Sequence, residues 1–254
     1  GVPDGLGYYA ASRFAPVAAA GNDVVAACGY SILPAFLGMA MDLMREHTDA
    51  ESTMRARDAV VVDALGAISP EIPERLGAMA GPLWETVDGL PNGARVMFAA
   101  HRCRPERAVD DTALSAGLAV NCLREWRGAP HWALVAAADL DITEVGLIHN
   151  VMVEYDEAEW IARSRGADDE AVALGWARLE AKGFAADRRF TDAGRAFRHD
   201  LETRTDQICA RVWQDLGAEH TVALCEIIEP HHDAVVAAVD ATAGRNWMPA
   251  IRHV

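Results

Sequence analysis

The stretch between Asp168 and Leu216 constrains the fold of this chain more than any other. Asp168 is a residue type whose carboxylate caps exposed backbone N–H groups, and residues 169 to 182 (DEAVALGWARLEAK) follow it as an unbroken helical run. Gly183 ends that run, because glycine readily takes the left-handed conformation that closes a helix. Residues 184 to 190 (FAADRRF) are short and can pair as a small hairpin. Thr191 then caps a long helix reaching to about Leu216. Upstream, residues 156 to 164 (DEAEWIARS) open on Asp156 as a further cap, and Gly166 breaks the chain behind them. Helix, turn, helix, short hairpin and capped helix is the element order of a winged helix.

The rest of the chain extends the helical pattern. Residues 8 to 20 mix aromatic and small side chains up to Gly21-Asn22-Asp23, where Asn22 or Asp23 is placed to cap a run from Val24 to Pro34. Residues 35 to 46 put Leu37, Met41 and Met44 on one face, and residues 50 to 67 carry an apolar stripe behind a cap at Asp49 or Ser52. Prolines and glycines gather from Pro70 to Gly93 around a short helix near residues 72 to 88, which marks a hinge. Residues 110 to 127 form a helix that stops at Arg127-Gly128, ahead of Pro130, and residues 131 to 138 and 141 to 151 are helical again. The expectation is an all-α fold of two helical halves. Residues 1–90 make an N-terminal helical domain, and residues 91–254 make a winged-helix-like domain with a short β wing. An apolar share of 51%, much of it alanine, suits helices packed closely together.

Charge argues about partners. The formal charge of −15 repels phosphate backbones and anionic membranes, because affinity for nucleic acid rests on Lys and Arg. The helix that would enter the major groove sets Asp168, Asp169, Glu170 and Glu180 against Arg178 and Lys182, and the wing adds Arg188 and Arg189. Nucleic acid is therefore disfavoured as a partner. Cys28, Cys103, Cys122, Cys209 and Cys225 are odd in number and form no C-x-x-C pair, which speaks against a disulfide framework or a zinc site. They read mostly as small core residues. The first 20 residues lack a basic start followed by an apolar stretch, and no run is apolar enough to span a bilayer, so the cytoplasm is expected. Phosphate-loop, dinucleotide, zincin and α/β-hydrolase motifs are all missing. No metal or cofactor is expected.

The segment ARLEAKGFAADRRFTDAGRAFRHDLE resembles the wing region of MarR-type regulators, with Thr191, Asp192, Gly194 and Arg195 on the "T-x-x-G-R" pattern. Thr191 would cap the helix, Gly194 would let the wing approach, and Arg195 would pin it. Over residues 5 to 230 the chain is similar to a family of actinobacterial helix-turn-helix-like proteins. The likeness is carried by GLGYYAASRFAPV, NDVVAACGYSILP, MRARDAVVVDAL, GARVMFAAHR, LREWRGAPHWAL and TRTDQICARVWQDLG. The resemblance implies two helical halves, the second winged-helix-like, a dimer, and no particular activity. It also marks two departures. Leu33 stands where family members carry the histidine of "F-x-F-H-P", and Ala129 stands at the aspartate of "R-G-D-G-H", whose arginine and histidine remain as Arg127 and His131.

His131 and His149 are the candidate proton carriers, since imidazole titrates near neutrality, and Glu125 is a carboxylate close enough in sequence to orient His131. Both histidines also fit a plain structural role beside helix ends or in a core. Arg57 and Arg127 are candidate ligand anchors, although Arg57 equally suits an ion pair with Asp58 or Asp63. Tyr9, Arg13 and Tyr30 would line the pocket or join an aromatic core cluster. His101, with Arg102 and Arg104, reads as a solvated loop or an anion contact, and His231 and His232 read as surface residues.

The leading expectation is a small-molecule enzyme of actinobacterial specialised metabolism. It would use acid/base or positional catalysis, such as elimination, cyclisation or rearrangement, in a pocket between the halves. A ligand-binding or resistance protein with the same pocket, and a MarR-like DNA-binding regulator, are the alternatives. A homodimer fits all three.

Overall fold

The computed structural model describes residues 6–108, 110–152 and 159–242. The first helix, α1 (Leu6–Phe14), passes through a 3-10 turn (Ala15–Ala20) into α2 (Asn22–Cys28). Then come α3 (Pro34–His47), α4 (Ala50–Ile68), α5 (Glu71–Ala78), α6 (Ala80–Gly89), α7 (Val96–Arg102) and α8 (Thr112–Ala137). The winged segment holds α9 (Ile142–Ile148), α10 (Trp160–Ser164), α11 (Asp169–Ala181), the strands β1 (Ala185–Ala186) and β2 (Arg189–Phe190), and α12 (Asp192–Leu216). Two shorter helices, α13 (Ala218–Ile228) and α14 (His232–Thr242), follow. The fold is all-α apart from that one small hairpin. Among the described residues no helix is long and apolar enough to cross a membrane.

Local chemistry sets several helix starts. Asp49 accepts the Ser52 N–H at 2.7 Å, Asp168 the Ala171 N–H at 2.8 Å, and Thr191 the Gly194 N–H at 3.1 Å. Asp141 and Glu144 form a reciprocal capping box at α9. The expected cap at Asn22 or Asp23 is not used. There α2 starts behind Gly21 with no side-chain cap, and it ends at Cys28 rather than running on to Pro34. The Asp156 cap lies outside the described residues, and the helix there spans Trp160–Ser164.

Three apolar cores share the long helices. One joins α1, α2 and α3, centred on Phe14, Leu37 and Met41. A second joins α5, α6, α8, the end of α12 and α13. The third joins the end of α8 to the winged segment through Val135, Leu147, Trp176 and Leu201. With 26 residues, α8 extends about 39 Å at 1.5 Å per residue and reaches from the second core into the third.

One expectation fails on this axis. The helix does not stop at Arg127-Gly128, because α8 continues through Pro130 to Ala137. A proline inside a helix removes one hydrogen bond and costs about 3 kcal/mol. Trp126 on one side and Val135 on the other are both buried, so packing offsets that loss. The stretch from Pro70 to Gly93, expected as a hinge, buries Ile72, Leu76, Leu83 and Val87 in the same core as Ala119 and Cys122. That core spans the boundary placed at residue 90.

The winged segment is tightly closed. A Cβ on Gly146 would lie 2.8 Å from Ala162 Cα, so only glycine lets α9 meet α10 here. A Cβ on Gly194 would lie 2.1 Å from the Phe184 carbonyl oxygen, which explains glycine at the wing's base. Asp187 and Arg188 form the two-residue hairpin turn with φ of +49° and +56°, the handedness that matches strand twist. The Arg188 N–H donates to Glu180 at 3.1 Å, tying the tip back to α11. Arg195, expected to pin the wing, is instead exposed.

Candidate functional site

The densest buried polar grouping lies on one face of α8. Asn121, Arg124, Glu125, Gly128 and Trp132 recur at helical spacing and so share that face. Glu125 is only 3% exposed. Its carboxylate accepts two parallel bonds from Arg13, each at 3.0 Å, and a third from Arg124 at 2.6 Å. Burial alone would raise this carboxyl, but the Arg13 and Arg124 guanidiniums outweigh it and hold the group below the ordinary range. Arg13 also donates to the Tyr9 hydroxyl at 2.8 Å.

The network continues through Asn121. Its Oδ1 accepts from Arg124 at 2.9 Å and from Arg57 at 3.1 Å, and its Nδ2 meets His101 Nδ1 at 3.0 Å. An amide nitrogen only donates, so His101 Nδ1 accepts and the ring proton sits on Nε2. His101 is fully buried and is pushed down to about 3, chiefly by burial, so it is neutral. The expected solvated loop at His101 is therefore corrected. Its position on α7, in step with the buried Met97 and Phe98, was the signal. Arg57 finds no carboxylate in Asp58, which pairs with the buried Arg104. The neighbouring Arg104 and Arg57 serve different partners.

A cleft of about 260 Å³ opens beside Glu125. Cys28 and Tyr30 line one side, Val96 and Met97 another, and Glu125, Gly128, Ala129 and Trp132 the third. The Tyr30 and Trp132 rings lie nearly parallel with centroids 6.0 Å apart, and the Tyr30 hydroxyl donates to the Leu140 carbonyl at 2.6 Å. Burial raises both the Cys28 thiol and the Tyr30 phenol. The volume falls near the lower end for ligand pockets, which begin at about 300 Å³.

The two expected proton carriers sit elsewhere. His131 lies inside α8, not after its end, and its Nδ1 faces Thr205 Oγ1 at 3.2 Å. Thr205 gives its own proton to the Leu201 carbonyl at 2.8 Å, so His131 donates through Nδ1. His131 and His149 are each pushed down to about 4, first by burial and then by Arg198. The carboxylate near them is Glu202, held between Arg198 at 2.7 Å and Arg127, and lowered to about 2 against its burial. Glu125 therefore does not orient His131. Arg127 also pairs with Asp206 at 3.0 Å and lines a separate apolar groove with Trp213. The structure thus gathers Tyr9, Arg13, Glu125 and Arg57 in one network, with Tyr30 across the cleft, and places His131, His149 and Arg127 in another. Sequence reasoning missed Asn121, Arg124 and Trp132. Of the cysteines expected to be mostly core residues, Cys122 and Cys209 are buried, Cys28 is half-buried, and Cys103 and Cys225 are exposed.

The winged segment spends several of its cations internally. On α11, Asp169, Glu170 and Glu180 face solvent, while Arg178 pairs with Asp141 and Lys182 reaches Glu144 at 2.6 Å. Arg163 is held by Glu159 and Asp169, both at 2.8 Å.

The order α9, α10, α11, hairpin and α12 defines a protein of the helix-turn-helix class with a wing. Comparison agrees: the chain matches a helix-turn-helix family over residues 1–242 and belongs to it. No curated protein and no solved structure matches the chain significantly.

Proposed function

We propose that this member uses its helix-turn-helix scaffold to bind a small organic molecule in the cleft beside Glu125. One observation carries the reading. A buried, ionised carboxylate, fixed by two arginines, forms part of the wall of an otherwise apolar and aromatic cavity. Such a cavity with a few placed polar groups is what ligand recognition requires. The cleft draws on residues 27–30 of the first half and 94–133 of the second, which fits a site between the halves.

Binding is favoured over turnover. A general acid or base works best with a pKa near the operating pH, whereas His131, His149 and His101 are all displaced to about 4 or below. The enzymatic reading remains the extension of this one, with the ligand positioned rather than deprotonated. The finer kinship belongs to the same proposal: a MarR-type wing, an actinobacterial setting in specialised metabolism, a cytoplasmic location and a homodimer. Native mass spectrometry beside the denatured spectrum tests the reading. A mass excess that vanishes on denaturation supports it. An excess that persists equally in Gly128→Leu, which fills the cleft, overturns it.

Membership in a helix-turn-helix family favours a second reading, contact with DNA through the wing. Arg189 is exposed at the wing and could meet a phosphate. A salt-dependent shift of promoter DNA, lost when Arg188 and Arg189 become glutamate, would support it. The acidic face of α11 predicts no shift.

A further inference from the structure

Two polar groups in the cleft lack a partner on their open side, and they flank one glycine. Trp132 Nε1 is an indole donor that donates to no group among the described residues, unlike Trp84 and Trp126, which reach Ser115 and the Pro91 carbonyl. Glu125 Oε2 accepts a single bond, from Arg13 at 3.0 Å, while Oε1 accepts both others. A carboxylate oxygen has room for a second donor. A Cβ built on Gly128 would lie 3.9 Å from Glu125 Oε2 and 3.9 Å from Trp132 Nε1, with nothing nearer beyond the local backbone of α8. Donor and acceptor thus stand either side of an open spot above the α8 backbone. Gly128, Glu125 and Trp132 all line the same cleft.

The rest of the wall says what the ligand looks like. Tyr30 and Trp132 present nearly parallel rings, and Val96, Met97 and the alanines around them are apolar. A flat ring system fits such walls. Among the described residues no arginine or lysine lines the cleft, and its one charged lining residue, Glu125, is already held by Arg13 and Arg124, so a charged ligand meets no unpaired charge there. What is missing is one acceptor for Trp132 and one donor for Glu125.

We propose that the cleft recognises a neutral, planar molecule carrying an adjacent N–H and C=O, a lactam edge. Its N–H would donate to Glu125 Oε2 and its carbonyl would accept from Trp132 Nε1. This inference rests on the cleft being the binding site and names the chemistry that the site selects. A buried polar pair rejects a ligand that leaves one member unpaired, which is why it confers selectivity.

The test uses three bicyclic probes of similar size: 2-quinolone, N-methyl-2-quinolone, which lacks the donor, and 2-methylnaphthalene, which lacks both groups. Titration calorimetry on the full chain should show 2-quinolone binding about tenfold or more tightly than either comparator. Trp132→Phe keeps the ring and removes the donor, so it should shrink the preference over 2-methylnaphthalene about tenfold. Gly128→Ala places a methyl group between the two polar atoms without a clash and should weaken 2-quinolone similarly. Equal affinities for all three probes would overturn the lactam inference while leaving the cleft as a binding site. Binding that is unchanged in Gly128→Ala and Trp132→Phe would overturn it as well, by placing the probes elsewhere. No binding by any probe would overturn both.

Discussion

Glu125 on α8 and Glu202 on α12 each hold two arginine side chains, yet they do different work. Glu125 ties α8 to Arg13 of α1 from 112 residues away, lies almost wholly out of solvent, and borders a cavity. Glu202 ties Arg127 of α8 to Arg198 of its own helix, and its neighbours Thr205, His131 and Asp206 are joined to one another or to Arg127. A carboxylate clamped by guanidiniums is therefore a common structural device, and it becomes a recognition element only where space and an unspent donor lie beside it. The winged segment makes the same point from the other side, since Arg163, Arg178 and Lys182 are consumed internally.

Removing each carboxylate should separate the two settings most strongly. Glu125→Ala leaves Arg13 buried without its ion pair, at a cost of about 3–5 kcal/mol. Glu202→Ala should cost a similar amount, because it leaves the buried Arg198 without its ion pair even though Arg127 retains Asp206. Urea unfolding measures both losses, and titration with 2-quinolone separates the settings: only Glu125→Ala should abolish binding, and an equal loss of binding in a folded Glu202→Ala would break the contrast.

Acid should act next. His131, His149 and His101 have folded values near 4, 4 and 3, below the ordinary 6.5 of the unfolded chain. The unfolded state therefore takes up more protons as the pH falls below 6.5. Stability is full above that pH and is lost progressively toward pH 4, by about 1.4 kcal/mol per pH unit for each histidine. The urea midpoint should drop clearly between pH 7 and pH 5, and His131→Phe should flatten the slope. A pH-independent midpoint across that range would contradict the neutral, buried state of these rings.

Two smaller comparisons sharpen the account. Trp84→Phe strands the Ser115 acceptors and should cost about 1–2 kcal/mol, whereas Trp132→Phe removes an unpartnered donor and should change stability by less than about 0.5 kcal/mol. Equal losses would mean that Trp132 Nε1 is already satisfied. Gly128→Ala should raise stability by about 0.5–1 kcal/mol, the gain of alanine over glycine in a helix interior, while it blocks the cleft. A destabilised variant would show that the space is not open.

Much of the fold was legible because it is local. Asp49, Asp168 and Thr191 cap the helices their residue types foretell, and Gly183 and Gly194 mark the wing. Pro130 misled because its penalty is local while the packing that offsets it is not. The site was only half legible for the same reason. Glu125 and Arg13 stood out singly, but their bond joins segments 112 residues apart, and no spacing rule reports that. Asn121 and Arg124 share a helical face with Glu125, a signal that was present and went unread. His131 and Glu125 are close in sequence, and that proximity suggested a partnership which six positions along a helix do not provide.

The cleft is tested most directly through its own tryptophan. In a ¹H–¹⁵N spectrum of the indole N–H groups, assigned with Trp132→Phe and Trp213→Phe, 2-quinolone should shift the Trp132 resonance in a saturable way and leave Trp84 and Trp213 in place. A saturable shift of Trp213 with Trp132 unmoved would put the ligand in the outer groove instead and contradict the account.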